Sequence, residues 1–246
     1  MSRNSIIRVA HRGASAQYPE NTLLALRQAI EQGVDALEVD IHRTADDELV
    51  VIHDSTLERT TNGHGNVRDH RLQEIRQLDA GRGEKIPLFM EAIQLAREAQ
   101  VRLYVEVKGA RETEELAIAE SVIRTLEEID FLNQTIVTSF SAKALLRAKA
   151  LQPAVATMLD PSPQDGSLTP SQICAQVLRA GANCLSYDFR FLTPAIVREC
   201  QLMGLMVWAW PPDDPQDIQQ TVRLDVQGIV TNRPDMLNEV LHDITF

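Results

Sequence analysis

Short apolar runs alternate along this chain with stretches whose apolar residues recur at helical spacing, and glycine stands at many of the joins. Residues 23–32 have the helical pattern and lead through Gly33 into the apolar run 36–39. The unit returns at 172–180, Gly181 and 183–186, and again at 195–203, Gly204 and 205–209; a fourth copy runs through Gly228 into 229–231. Glycine after a helix takes the left-handed angles that close it, and an apolar run without polar alternation suits a strand covered on both faces. Repeated units of this kind predict a parallel sheet, open or closed. Further strands are expected at 6–10, 49–53, 102–107, 135–139 and 154–158. That makes nine, one more than an eight-stranded α/β barrel needs, and the pattern does not say which lies outside the ring. Between His42 and Leu49 there is no room for a helix, so one crossover must be irregular.

Residues 55–85 break the pattern. They are polar, hold Gly63, Gly65, Gly81 and Gly83, and lack long apolar runs, which reads as a small insertion on the rim after the strand ending at His53. No linker or low-complexity tract divides the chain, so residues 1–246 are expected to form one domain. A hydrophobic content of 44% and a charged content of 24% suit a soluble globular protein. The net charge of -11 argues against a nucleic-acid partner, because phosphate backbones are held by clustered Lys and Arg. An anionic ligand would therefore need a metal or a few aimed cations. The segment before His11 is too short and polar for a signal peptide, and no window approaches ~18 apolar residues, so a cytoplasmic protein without membrane insertion is expected. Cys174, Cys184 and Cys200 share no CxxC spacing and read as reduced, buried thiols.

Candidate chemistry gathers where strands should end. Glu38 and Asp40, two apart, share one face of their strand, and Glu106 and Lys108 repeat the arrangement. Three carboxylates from two strands could hold Mg²⁺ or Ca²⁺ through oxygen, or could form salt bridges with Lys108 and nearby arginines. His11 and His53 end two further strands and are expected to form an acid/base pair, and Arg12 suits an anion. His42, two after Asp40, is a weaker candidate for the same place.

The segment His11-Arg12-Gly13 followed by Pro19-Glu20-Asn21-Thr22 resembles the opening signature of the glycerophosphodiester phosphodiesterase family. Glu38-Val39-Asp40, His53-Asp54, Arg59-Thr60-Thr61-Asn62-Gly63, Glu106-Val107-Lys108, Ser139-Phe140 and Trp208 follow in the family's order. The resemblance spans about residues 6 to 240. It implies a TIM (β/α)8-type barrel, catalytic histidines at His11 and His53, and one divalent metal, Mg²⁺ or Ca²⁺, on Glu38, Asp40 and Glu106. It further implies phosphate contacts from Arg12 and Lys108, a substrate contact from Trp208, and a glycerol end lying against the insertion. The implied reaction releases glycerol 3-phosphate and an alcohol from small glycerophosphodiesters. Alternatives are a phospholipase-type reaction on intact or lyso-lipids, and a non-catalytic phosphate-binding barrel. Asn21 is expected to cap the helix that starts near Leu23. Two departures stand out: Ala209-Trp210-Pro211-Pro212, where the family usually runs from tryptophan to an asparagine, and Thr231-Asn232-Arg233-Pro234, where it usually has Thr-Asp-Arg-Pro. Both are read as changes to the alcohol-side pocket that leave the histidines and carboxylates untouched.

Overall fold

The structure is a computed structural model that describes residues 6–245. Nine strands form one sheet: β1 (Ile7–Ala10), β2 (Ala36–Arg43), β3 (Leu49–Val51), β4 (Arg102–Val107), β5 (Thr135–Ser139), β6 (Ala156–Leu159), β7 (Cys184–Asp188), β8 (Met206–Trp210) and β9 (Gly228–Thr231). The helices are α1 (Leu23–Glu31), α2 (Leu72–Ile75), α3 (Phe89–Ala99), α4 (Glu112–Glu128), α5 (Ala142–Leu151), α6 (Pro170–Arg179), α7 (Pro194–Leu202), α8 (Pro215–Arg223) and α9 (Pro234–Thr245). β1 pairs in parallel with both β9 and β2, which closes eight parallel strands into a ring of the TIM-barrel type.

The strand outside the ring is β3. It pairs antiparallel with β2, Ile41 opposite Val51, so β2 rises past the ring, turns through residues 44–48 and comes back as β3. This hairpin, the insertion and α3 together make the irregular crossover from β2 to β4. The insertion is less polar inside than its sequence suggests. Leu57, Val67, Ile75 and Ala80 bury themselves with Ile86 just beyond the insertion and with Val50 and Ile52 of the hairpin side, a small separate core beside the barrel.

Outside the ring, the inward stripes of the helices pack on outward strand residues such as Leu37, Val39, Val105 and Val207. Inside, Val9, Ala36, Tyr104, Met158, Cys184, Trp208 and Val230 fill the lower barrel. Tyr104 and Trp208 stack there with ring centroids 5.6 Å apart. Gly33, Gly181 and Gly204 have the expected positive φ after their helices. Gly228 does not. It lies within β9 under the Trp208 indole, where an added Cβ would come within 2.6 Å of the ring, and Asp225 takes the left-handed position after α8. Its role is to make room, which a helix-glycine-strand pattern cannot distinguish from capping.

Candidate active site

Above the packed layer the inward positions turn polar, because strand alternation brings Glu38, Asp40, Glu106 and Lys108 to the same interior face one step higher. Asp40 lies beside Glu106 in the β2–β4 register. One carboxylate oxygen from each of Glu38, Asp40 and Glu106 lies within 4.8 Å of the others, and all three residues are buried. Lys108 Nζ is 3.1 Å from Asp40 Oδ1 and also pairs with Glu106. Arg12 Nε is 3.1 Å from Asp40 Oδ2.

Three acids thus face two cations in a buried space. Burial, reinforced by Asp40 and Glu106, pushes Glu38 well above the carboxylate range. Burial also raises Glu106 to about 7. Burial would raise Asp40 too, but Lys108 and Arg12 outweigh it and hold that carboxyl low. Glu38 Oε1 is buried with no hydrogen-bond donor among the described residues. A cluster of hard oxygen donors, with more carboxyl groups than neighbouring cations and an unsatisfied acceptor, fits a divalent cation. The salt-bridge alternative is also realised in part, since Lys108 pairs with two of the three acids.

The loop after β1 is shaped to serve this cluster. Arg12 has φ +59°, which turns its N–H to donate to Glu38 Oε2 at 2.8 Å. A Cβ on Gly13 would sit 2.5 Å from the Ala25 backbone, so only glycine lets the loop press against α1. Asn21 is not the helix cap; Thr22 is, its hydroxyl accepting from the Ala25 N–H. Asn21 is instead buried with φ +56°, and its Nδ2 donates to Asp40 Oδ2 at 2.8 Å.

His11 continues β1, its N–H bonded to the Thr231 carbonyl. Its Nδ1 lies 2.8 Å from Asn232 Oδ1. The Thr231-Asn232 departure therefore does touch a histidine, contrary to the reading from sequence: the residue after β9 folds back over the end of β1. Asn232 Nδ2 in turn donates to Asp213 Oδ2 at 2.7 Å. Burial, then Arg12, lowers the His11 pKa to about 4.

His53 arrives from the opposite direction. Because β3 is antiparallel, its C-terminal end descends to the rim, where the Ile52 N–H bonds the Asp40 carbonyl. His53 Nδ1 donates to Asp54 Oδ1 at 2.6 Å, and His42 Nε2 donates to the His53 carbonyl at 3.1 Å. His42 thus supports the site from behind. Arg59 donates through Nε and Nη2 to Asp54 and through Nη1 and Nη2 to Glu20, which also accepts from Arg12. Burial lowers the His53 pKa, while the Arg59 hydrogen bond brings Asp54 to about 2.

These groups open on one cleft of ≈ 400 Å³, whose lining includes His11, Arg12, Glu38, His53, Glu106 and Lys108. Phe140, Asp160, Ser186 and Trp210 also line it. Trp208 is not a cleft residue: it is 1% exposed and belongs to the interior packing. Trp210, two residues on and one layer higher, lines the cleft and meets Phe140 edge to face, centroids 6.3 Å apart. No residue of 55–85 is among those lining the cleft, so the expected glycerol contact with the insertion has no counterpart there. Asp160, which the sequence reading missed, is buried and accepts from Thr138 Oγ1 at 2.9 Å. Its place at the end of an apolar run was the available signal.

Comparison with known proteins agrees with this fold. The profile of the Glycerophosphoryl diester phosphodiesterase family matches residues 11–236. The chain is 34% identical over 236 residues to a glycerophosphodiester phosphodiesterase of Caldanaerobacter subterraneus subsp. tengcongensis, covering 93% of this chain and 95% of that one. It is 30% identical over 262 residues to a glycerophosphodiester phosphodiesterase of Bacillus subtilis, covering 98% and 88%. An Oleispira antarctica phosphodiesterase, solved in complex with the product sn-glycerol-3-phosphate, superposes with a TM-score of 0.85 at 27% identity, covering 96% of each chain.

Proposed function

This chain belongs to the glycerophosphoryl diester phosphodiesterase family and is a glycerophosphodiester phosphodiesterase, and we propose that it works by an intramolecular attack assisted by His11 and His53, with one divalent ion, Mg²⁺ or Ca²⁺, on Glu38, Asp40 and Glu106. The observation that carries this reading is that both histidines have Nδ1 tied to a partner and open onto the cleft lined by Glu38 and Glu106, with Asp40 buried beside them. Nε2 is then the nitrogen each has available for proton transfer.

In this reaction the glycerol hydroxyl next to the phosphate attacks phosphorus. His11, kept neutral by burial and Arg12, takes the hydroxyl proton on Nε2. As the new O–P bond forms, the P–O bond to the second alcohol breaks and His53 donates a proton to that oxygen. Water then opens the cyclic phosphate with the two roles reversed, giving glycerol 3-phosphate. Arg12 and Lys108 hold the phosphate and offset its growing charge. Glu38, Asp40 and Glu106 would hold the divalent ion, which would supply further positive charge near the phosphate. No cysteine is among the lining residues, and the one serine there, Ser186, faces Tyr104 and has no histidine beside it. The leaving alcohol faces Phe140, Asp160, Ser186 and Trp210, and glycerophosphocholine, glycerophosphoethanolamine and glycerophosphoglycerol are the substrates proposed.

The test is glycerol 3-phosphate release across these diesters, with and without EDTA, beside an analogue in which hydrogen replaces the attacking hydroxyl. EDTA should abolish turnover and Mg²⁺ or Ca²⁺ restore it. The deoxy analogue should inhibit without reacting. Hydrolysis of the analogue at a comparable rate would replace the intramolecular route with direct attack by water.

A further inference from the structure

The departure at Asn232 meets the residue next to the other departure. Asn232 stands where the pattern has an aspartate, and Asp213 comes directly after the Ala209-Trp210-Pro211-Pro212 stretch. Asp213 Oδ1 accepts from Thr231 Oγ1 at 2.8 Å and from the Asn232 N–H at 2.8 Å, and its Oδ2 accepts from Asn232 Nδ2 at 2.7 Å. The carboxylate is thus fixed from three sides by the strand end that carries Asn232.

A carboxylate only accepts hydrogen bonds, so the Asn232 atom facing Asp213 must be its amide nitrogen. The amide oxygen then faces His11 Nδ1 at 2.8 Å, with Ser15 Oγ also 2.8 Å from it. An acceptor at that point requires the proton on Nδ1 and leaves the lone pair on Nε2. We infer that Asp213 is a positioning residue: through the Asn232 amide it holds His11 in the tautomer whose Nε2 can take a proton. The pair Asn232–Asp213 does with an amide and a carboxylate behind it what one carboxylate would do directly, and it leaves the histidine with a neutral neighbour. Removing the charge behind the amide frees the amide to turn over and present N–H to His11, which reverses the tautomer.

This rests on His11 being the base in the reaction above. The test compares Asp213→Asn, Asn232→Asp and the exchanged pair Asp213→Asn/Asn232→Asp. Asp213→Asn allows the amide to flip, and Asn232→Asp sets two carboxylates against each other. The exchanged pair restores every donor and acceptor in reversed order. Each single variant should lose about 10–100-fold in kcat, the range for partners that orient a site group, with KM within about threefold. The exchanged pair should recover to within about threefold of the wild type, a non-additive cycle. Nitrogen-15 NMR of the histidines should show His11 protonated at Nδ1 in the wild type and exchanged pair, and at Nε2 or mixed in Asp213→Asn. If Asp213→Asn fails to fold, Asn232→Asp and the exchanged pair give the same comparison. An unchanged His11 tautomer in Asp213→Asn, or an exchanged pair no faster than the slower single variant, overturns the inference. Near-normal kcat in His11→Ala would instead overturn the base assignment, and the NMR result would still report on Asp213.

Discussion

Each histidine meets the cleft with one ring nitrogen committed, but to unlike partners: His11 to a neutral amide, His53 to a carboxylate that Arg59 holds in turn. His11→Ala and His53→Ala should each cost at least ~10²-fold in kcat, the low end for general acid–base catalysis. The double variant should be far less than multiplicatively worse, since the two act on one proton path. Steady-state kinetics on folded, metal-replete protein decides this, and near-normal kcat in either single variant makes that histidine structural. Which residues gather at the cleft was largely legible in the sequence, because a histidine or paired acids at the end of an apolar run is costly unless used. How they are supported was not. Asn21 reads as a cap by type and position, yet its amide is spent on Asp40. Trp208 and Trp210 share one face of β8, and a period of two cannot say which lies in the packed layer and which in the cleft.

Among the elements, the β2–β3 hairpin departs furthest from the regular barrel, and it places His53. An apolar run reads the same in either chain direction, so the sequence could mark 49–53 as a strand without revealing that it returns antiparallel outside the ring. That reversal is what brings His53 back to the level of Asp40. The insertion then anchors the hairpin twice, by its own apolar cluster below and by Arg59 above. Arg59 joins Asp54 on the hairpin side to Glu20 on the β1–α1 loop, so it couples the two segments that carry the histidines. Arg59→Met should lower kcat about 10–100-fold with the fold retained, because the bridge orients groups and does not touch the core. Arg59→Lys should recover only part, since one ammonium cannot pair both carboxylates in the fork geometry of a guanidinium. A kcat within twofold of the wild type in Arg59→Met would show that the hairpin needs no such tie.

At the scale of the whole molecule, the closed ring gathers at its centre more carboxyl groups than its own cations can pair in ionised form, and this should be visible as a pH-dependent response to metal. Glu106 is raised to about 7 from a usual 4.5, so without metal its contribution to stability is present below the usual value and is lost as pH rises through the folded one. His11 works the other way: lowered to about 4 from 6.5, it destabilises the fold as pH falls through that interval. The two slopes oppose each other, which makes the pH dependence of the metal-free protein a poor measurement. The difference between metal-loaded and metal-free protein is better, because the His11 contribution is common to both. Binding requires Glu38 and Glu106 to shed their protons, so affinity, and with it the rise in Tm at fixed metal concentration, should increase with pH. Thermal unfolding with Ca²⁺ or Mg²⁺ against EDTA, between about pH 5.5 and 8, should show the increment growing steadily toward the alkaline end. Glu106→Gln should shrink the increment at every pH, because a neutral amide is a poorer partner for a hard cation. An increment that stays flat across the range, or that survives Glu106→Gln intact, would mean that the ion is held elsewhere and that these carboxylates serve Lys108 and Arg12 alone.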